Sequence, residues 1–207
     1  MRRLHPHLES PVLALLLVAA VTGSSAAQST GTPVYQAPYR AFSTSEFALS
    51  ISDPGAGTAF EGSYRTGFSR ETDIGLRIGV HSNPGRFAND NLLLGADFRS
   101  RILTHNESFP LDGSLTLGLG FESGNGFTAG RVPIGFSMGR RVHAERGEVS
   151  LVPYLQPVLT LLFGDASGTE FSLGFGLDAR VTRSLDLRFS AGVGDRNGIG
   201  ITAAFLH

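Results

Sequence analysis

The side chains able to do chemistry in this 207-residue chain are few, and most fall on one parity. His81-Ser82, with Asp90 across the following loop, brings a base, a nucleophile and a carboxylate together in sequence, the set that a rim hydrolase acting on lipid or peptide would use. Adjacent strand residues point to opposite faces, so His81 and Ser82 cooperate only if the turn reorients them. A polar loop is the simpler reading, and no catalytic residue is assigned. His105 and His143 fall in predicted turns at the other end. No His, Asp or Glu cluster has metal-ligand spacing and there is no cysteine, so no metal, cofactor or thiolate nucleophile is expected. More telling is a series of charges at alternating positions: Glu61, Arg65, Arg77, Asp97, Arg99, Arg101, Glu122, Arg131, Asp178, Arg180, Asp186 and Arg188. Arginine forks pair well with carboxylates, so an ion-pair network is expected, with Arg99 and Arg101 on Asp97 or Glu122, and Arg180 and Arg188 on Asp178 or Asp186.

The elements that position these charges read as strands. In EFSLGFGLDARVTRSLDLRFSAGVG, residues 170–194, Phe171, Leu173, Phe175 and Leu177 alternate with Ser172, Gly174, Gly176 and Asp178, and the pattern restarts at Leu185. Period two is the strand signal. Ten such segments are expected, each with an apolar parity: Phe47–Ile51, Phe60–Tyr64, Ile74–Val80, Leu92–Phe98, Leu115–Phe121, Val132–Met138, Val149–Phe163, Phe171–Val181, Leu185–Val193 and Ile199–Phe205. Turn residues such as Asp53-Pro54-Gly55, Asn83-Pro84-Gly85 and Gly124-Asn125-Gly126 separate them, which implies an antiparallel meander of hairpins. Eight strands are the alternative, because two segments fit less well. The first is short, and the seventh carries Pro153 and Pro157, neither of which can donate to a sheet ladder. A bulge is expected there, and Val152, Tyr154 and Val158 could face outward over part of that strand. Phe68, Phe98, Phe109, Phe127, Tyr154, Phe163 and Phe189 are candidates for interfacial aromatic girdles.

Which solvent the apolar parity meets is decided by glycine. A soluble sandwich would bury that parity, whereas a membrane barrel turns it to lipid. Gly75, Gly79, Gly95, Gly118, Gly120, Gly174, Gly176 and Gly192 all sit with the charges on the polar parity. Glycine weakens a solvated sheet face, but inside a narrow barrel its missing side chain makes room. The polar parity therefore reads as an enclosed lumen.

The leader agrees. Arg2-Arg3 precede the apolar run Val12–Val21, too short for the ~20 residues of a spanning helix, and small residues then lead to a cleavage site between Ala27 and Gln28. The expected division is a signal peptide at 1–27, a flexible mature segment rich in Ser, Thr, Pro and Gly at 28–41, and a barrel at 42–207. A net charge of −1 with no basic block gives no footing for nucleic acid.

With this pattern the chain resembles the small outer-membrane β-barrel proteins of Gram-negative bacteria, the OmpA-like and OmpX-like barrels. The resemblance implies residence in the outer membrane among its lipids, and a terminal strand read by the barrel assembly machinery. Ile201, Ala203 and Phe205 match that signal, with Leu206 and His207 following the aromatic residue. The expectation is an all-β, closed, antiparallel, up-and-down transmembrane barrel, monomeric and not an enzyme, its lumen plugged by arginine-carboxylate pairs and its role structural or interactive in the cell envelope. The alternatives are a narrow channel for small solutes and the rim hydrolase.

Overall fold

The structure, a computed structural model, describes residues 29–39, 44–55, 57–83, 90–124, 126–143 and 149–207. Ten long strands follow one another: β1 (Glu46–Asp53), β2 (Thr58–Gly67), β3 (Thr72–Ser82), β4 (Asn91–Leu103), β5 (Asp112–Gly124), β6 (Phe127–Gly139), β8 (Ser150–Gly164), β9 (Gly168–Arg180), β10 (Leu185–Gly194) and β11 (Gly198–Leu206). A two-residue strand, β7 (Val142–His143), pairs with the start of β8. Each long strand runs antiparallel to its chain neighbours. First pairs with last, Phe47 opposite Phe205 and Ile51 opposite Ile201, and β6 pairs with β8, so the sheet closes into a ten-stranded cylinder without an edge. The eight-strand alternative is excluded, since both doubtful segments are full staves of the ring.

The expected bulge at the prolines is absent. The β8–β9 ladder runs in one register from Ser150 opposite Arg180 to Leu162 opposite Gly168, straight through Pro153 and Pro157. The β6–β8 ladder keeps one register too, but it lacks a pair at Pro157 and stops at Gly139 opposite Tyr154, before Pro153. Both prolines share a parity, so their missing N–H groups face the same neighbour, β6. Two lost hydrogen bonds on one side leave the strand regular.

Burial is inverted relative to a soluble protein. The apolar parity points outward, with Leu49 53 % and Leu76 64 % exposed, while Glu61, Asp73, Asp97, Arg99, Arg131 and Asp178 are buried inside. Leu151, Leu155, Leu159 and Leu161 of β8 follow that rule, and its even parity is wholly inward: Val152, Tyr154, Gln156, Val158 and Thr160 are all buried. Val152, Tyr154 and Val158 therefore do not face outward, and Tyr154 belongs to no girdle. What these apolar residues pack against is the other departure from expectation.

Residues 29–39 are not a loose tail. They run inside the cylinder as a strap, and Ser29, Thr30, Thr32, Val34, Tyr35, Ala37 and Tyr39 are all buried there. Tyr35, Ala37 and Tyr39 form one apolar cluster with Val152, Tyr154 and Val158 of β8. The composition that suggests disorder suits this position. Pro33 and Pro38 favour an extended chain and have no N–H to satisfy, an advantage for a segment with no strand partner.

Candidate functional site

The end of the cylinder where Ser45 and His207 exchange backbone hydrogen bonds holds the densest charge. Five arginines meet five carboxylates there in one continuous network. Arg99 donates from Nε to Asp73 Oδ2 at 3.2 Å, and Arg65 bridges Asp73 to Asp97. Arg77 Nε lies 3.6 Å from the other oxygen of Asp97. Arg65 also approaches Glu46 at 4.0 Å, and Glu46 takes Arg188 Nη1 at 2.8 Å. Arg188 stands 3.5 Å from Asp178 and 3.6 Å from Asp186, and Asp186 accepts from Arg180 Nε at 3.0 Å. The match in sign is what permits burial, because an uncompensated charge in a narrow lumen costs several kcal/mol, on the order of 3–5 when one partner is lost.

Above and beside this layer lies the strap, held chiefly through its carbonyls. Ser190 Oγ donates to Pro33 O at 2.7 Å, Tyr154 Oη to Tyr35 O at 3.0 Å, Ser137 Oγ to Gln36 O at 2.5 Å, and Arg99 Nη1 to Ala37 O at 2.6 Å. Ser114 serves Pro38 O in the same way. Gln36 is the polar pivot: its backbone N–H donates to Gln156 Oε1 at 2.8 Å and its side-chain amide to Asp97 Oδ1 at 3.0 Å, which ties the strap to the ion-pair layer. Thr32 Oγ1 donates to Glu61 Oε2 at 2.6 Å. Strands β2, β4, β5, β6, β8 and β10 thus all contribute side chains to a segment that forms no ladder of its own.

Glycine makes the space, and mostly for the strap. A Cβ at Gly174 would lie 1.9 Å from the Tyr35 ring, and one at Gly120 would lie 1.4 Å from the Ser29 carbonyl oxygen. Two gaps lined in part by the strap measure only about 20 Å³ and about 10 Å³. Each is close to the ~10–15 Å³ that one water needs.

At the far end a second group of charges surrounds Glu122. It accepts from Asn91 Nδ2 at 2.9 Å and from Arg131 Nη2 at 2.7 Å, and His81 Nδ1 lies 3.2 Å away. Ser82, the nucleophile of the imagined triad, is exposed on the opposite parity from the half-buried His81. Histidine and carboxylate do meet here, and the carboxylate is Glu122 rather than Asp90. Arg196, in the β10–β11 turn, donates from Nε to Glu170 Oε2 at 3.2 Å. Burial first, and the Arg131 guanidinium second, lower Arg196 to about 10, so it remains charged at neutral pH.

Of the predicted lumen residues, Glu61, Arg65, Arg77, Asp97, Arg99, Glu122, Arg131, Asp178 and Asp186 are buried, whereas Arg101, Arg180 and Arg188 are only half-buried; the Arg101 backbone N–H donates to Glu71 O at 2.7 Å. Several pairings differ. Arg99 takes Asp73 rather than Asp97 or Glu122, Asp97 goes to Arg65 and Arg77, and Glu61 receives Thr32 instead of an arginine. Arg180 and Arg188 pair as expected. Glu46 and Asp73 are the residues missing from the expectation. Asp73 lies on the charged parity one residue before Ile74 and was legible; Glu46 lies on the inward parity of the short first strand. Ile201 and Phe205 face outward on β11, and the ladder continues through His207, whose N–H donates to Ser45 O at 2.9 Å. The cleavage position at Ala27 and Gln28 lies outside the described residues. Among the described residues no group of His, Asp or Glu is arranged to hold a metal ion.

No family model matches the sequence, and no curated protein matches it. Among solved structures, a bacterial polysaccharide outer membrane secretin superposes with a TM-score of 0.45 at 12 % identity, over 72 % of this chain and 56 % of that one. The beta domain of the Bordetella autotransporter BrkA gives a TM-score of 0.45 at 15 % identity, over 80 % of this chain and 99 % of that domain. Likeness at this level transfers no function.

Proposed function

We propose that the protein is a sealed outer-membrane barrel with a structural or interactive role in the cell envelope, acting as a monomer and without catalysis. The observation that carries this reading is the strap: residues 29–39 occupy the lumen and lock to six strands, so the cylinder is filled by its own chain. Two further features support it. The outward parity is apolar on every long strand, and a surface of that extent is stable in hydrocarbon, not in water. The closed ring leaves no backbone edge to pair, which is the condition for crossing a bilayer with strands.

In this reading both ends of the barrel sequence lie on the periplasmic side, as an even strand number requires, and the Glu122–Arg196 end faces outward. Outer-membrane lipid is the surrounding partner, and β11 with Ile201, Ala203 and Phe205 is the segment offered to the assembly machinery. Planar-bilayer recording of the purified mature protein tests the sealed state. Current indistinguishable from the protein-free bilayer is expected; steady conductance steps from the intact chain would establish the channel reading instead.

A further inference from the structure

The near end of the cylinder, where Ser45 meets His207, carries an open hollow of about 380 Å³, bounded by Thr44, Ser45, Thr66, Phe68, Arg70 and His207. Aromatic residues mark its height in the barrel. Phe47 stands opposite Tyr64 on one side and Phe205 on the other, so three outward rings lie abreast across β11, β1 and β2, the arrangement of an interfacial girdle. The His207 ring adjoins that row, its centroid 6.0 Å from that of Tyr64. Ser45, Thr66 and His207 each lie two residues beyond the row. At ~3.3 Å per residue and a strand tilt of ~40°, that is about 5 Å along the barrel axis, inside the headgroup layer of ~5–7 Å between hydrocarbon and water.

The β2–β3 turn presents two unlike side chains at this level. The N–H groups of Phe68 and Ser69 both donate to Thr72 O, at 2.8 and 3.0 Å, and Ser69 Oγ accepts from the N–H groups of Glu71 and Thr72 at 3.2 and 3.1 Å, which fixes the turn. Phe68 is 78 % exposed, more than any other large apolar side chain among the described residues, a position that suits an aromatic ring at a lipid boundary better than in water. Arg70, exposed beside it, has no ion-pair or hydrogen-bond partner among the described residues, and no Asp or Glu side chain lines the hollow. The four exposed arginines among the described residues, Arg70, Arg140, Arg141 and Arg183, all stand at this end, against Glu71 and Glu107, whereas Asp53, Asp90, Asp165 and Asp195 are exposed at the other. Anions are drawn to the near end.

We propose that the hollow seats the phosphodiester of a glycerophospholipid from the adjacent leaflet, its phosphate on Arg70 and its first acyl carbons against Phe68. A guanidinium fork matches phosphate oxygens in pairs, and the apolar ring beside it selects a phosphate that carries a lipid tail. This inference rests on the membrane-barrel reading above, because the height of the site is measured from hydrocarbon outside the strands.

The test is native mass spectrometry of the purified protein in a non-ionic detergent, titrated with phosphatidylglycerol, with diacylglycerol of the same chains and with inorganic phosphate. One saturable phosphatidylglycerol adduct is expected, at least about tenfold tighter than diacylglycerol, which lacks the charge, and than inorganic phosphate, which lacks the tail. Arg70→Gln and Phe68→Ser, both in an exposed turn, should each weaken that adduct about fivefold, the scale of one contact at a membrane surface. Arg183→Gln, at the same end but outside the hollow, should change it by less than about twofold. Heat-modifiable gel mobility reports the barrel itself. A folded, heat-modifiable protein with no lipid adduct, with diacylglycerol or inorganic phosphate bound as tightly as phosphatidylglycerol, with affinity unchanged by Arg70→Gln, or with an equal loss in Arg183→Gln would overturn this site and leave the barrel reading standing. A compact monomer in plain buffer would overturn both.

Discussion

Replacing Tyr35 by alanine in a chain that carries Val34→Cys as its single thiol measures how firmly the strap is held. The protein has no cysteine of its own, so a maleimide reports that one position. Val34 is 5 % exposed and cysteine is the smaller side chain, so the substitution reports on the lumen without overfilling it. Tyr35 is 2 % exposed, with its ring against Gly174 and Gly192. Truncating a buried aromatic ring costs about 3–5 kcal/mol, lost transfer energy and cavity together. The surrounding barrel is a closed sheet and collapses little, but the strap can relax, so the lower figure applies. At about 1.4 kcal/mol per factor of ten, a loss of ~3 kcal/mol raises the undocked fraction about a hundredfold. When docking is fast relative to labelling, the labelling rate follows that fraction. The expected result is slow labelling of Val34→Cys alone and labelling about two orders of magnitude faster with Tyr35→Ala added, both in the folded, heat-modifiable band. An increase under about threefold, or parent labelling as fast as that of an unfolded control, would refute the docking of the strap.

Three further outcomes follow from the same packing. Gly174→Ala should also speed labelling of Val34→Cys, because the added Cβ sits 1.9 Å from the Tyr35 ring; combined with Tyr35→Ala it should add almost nothing, a coupling that a double-mutant cycle reads directly. Asp73→Asn removes one charge that holds both Arg65 and Arg99, and should lower stability by about 3–5 kcal/mol in urea unfolding followed by gel mobility, whereas Glu71→Gln in the adjacent exposed turn should stay within ~0.5 kcal/mol. Deleting residues 29–39 should give stepwise current in planar bilayers where the intact chain gives none.

How far the architecture was legible depends on what each pattern encodes. Alternation is local, so Leu115, Leu117 and Leu119 against Thr116 and Gly118 announced a strand and its faces without help from the rest of the chain. Closure followed from the parity that gathers glycines such as Gly75, Gly120 and Gly174 with the charges, a pattern suited to an enclosed lumen and not to a solvated sheet face. Ion-pair partners were less readable. Parity fixes that Arg99 and Asp73 both face inward, but which arginine reaches which carboxylate depends on the stagger between β3 and β4, where Asp73 stands opposite Arg99. The strap was missed because its Ser, Thr, Pro and Gly content imitates a disordered tail. The signal that would have found it lay elsewhere: Leu93, Val152, Tyr154 and Val158 are apolar on the inward parity, and such residues in a polar lumen require an apolar occupant. Val34, Tyr35 and Tyr39, set among prolines, were the candidates in plain view. The same residues resolve the seventh segment, whose doubly apolar sequence reflects the outer surface of the barrel on one face and the strap on the other.

The central claim is that hydrocarbon touches the apolar parity while the chain's own polar parity and strap fill the interior. Fluorophore-labelled single cysteines along β5, in bilayers of brominated lipid, test it most directly. Labels at 115, 117, 119 and 121 should be quenched strongly and labels at 114, 116 and 122 weakly, a period of two along one strand. Equal quenching on both parities, or quenching at none of the seven positions, would contradict it.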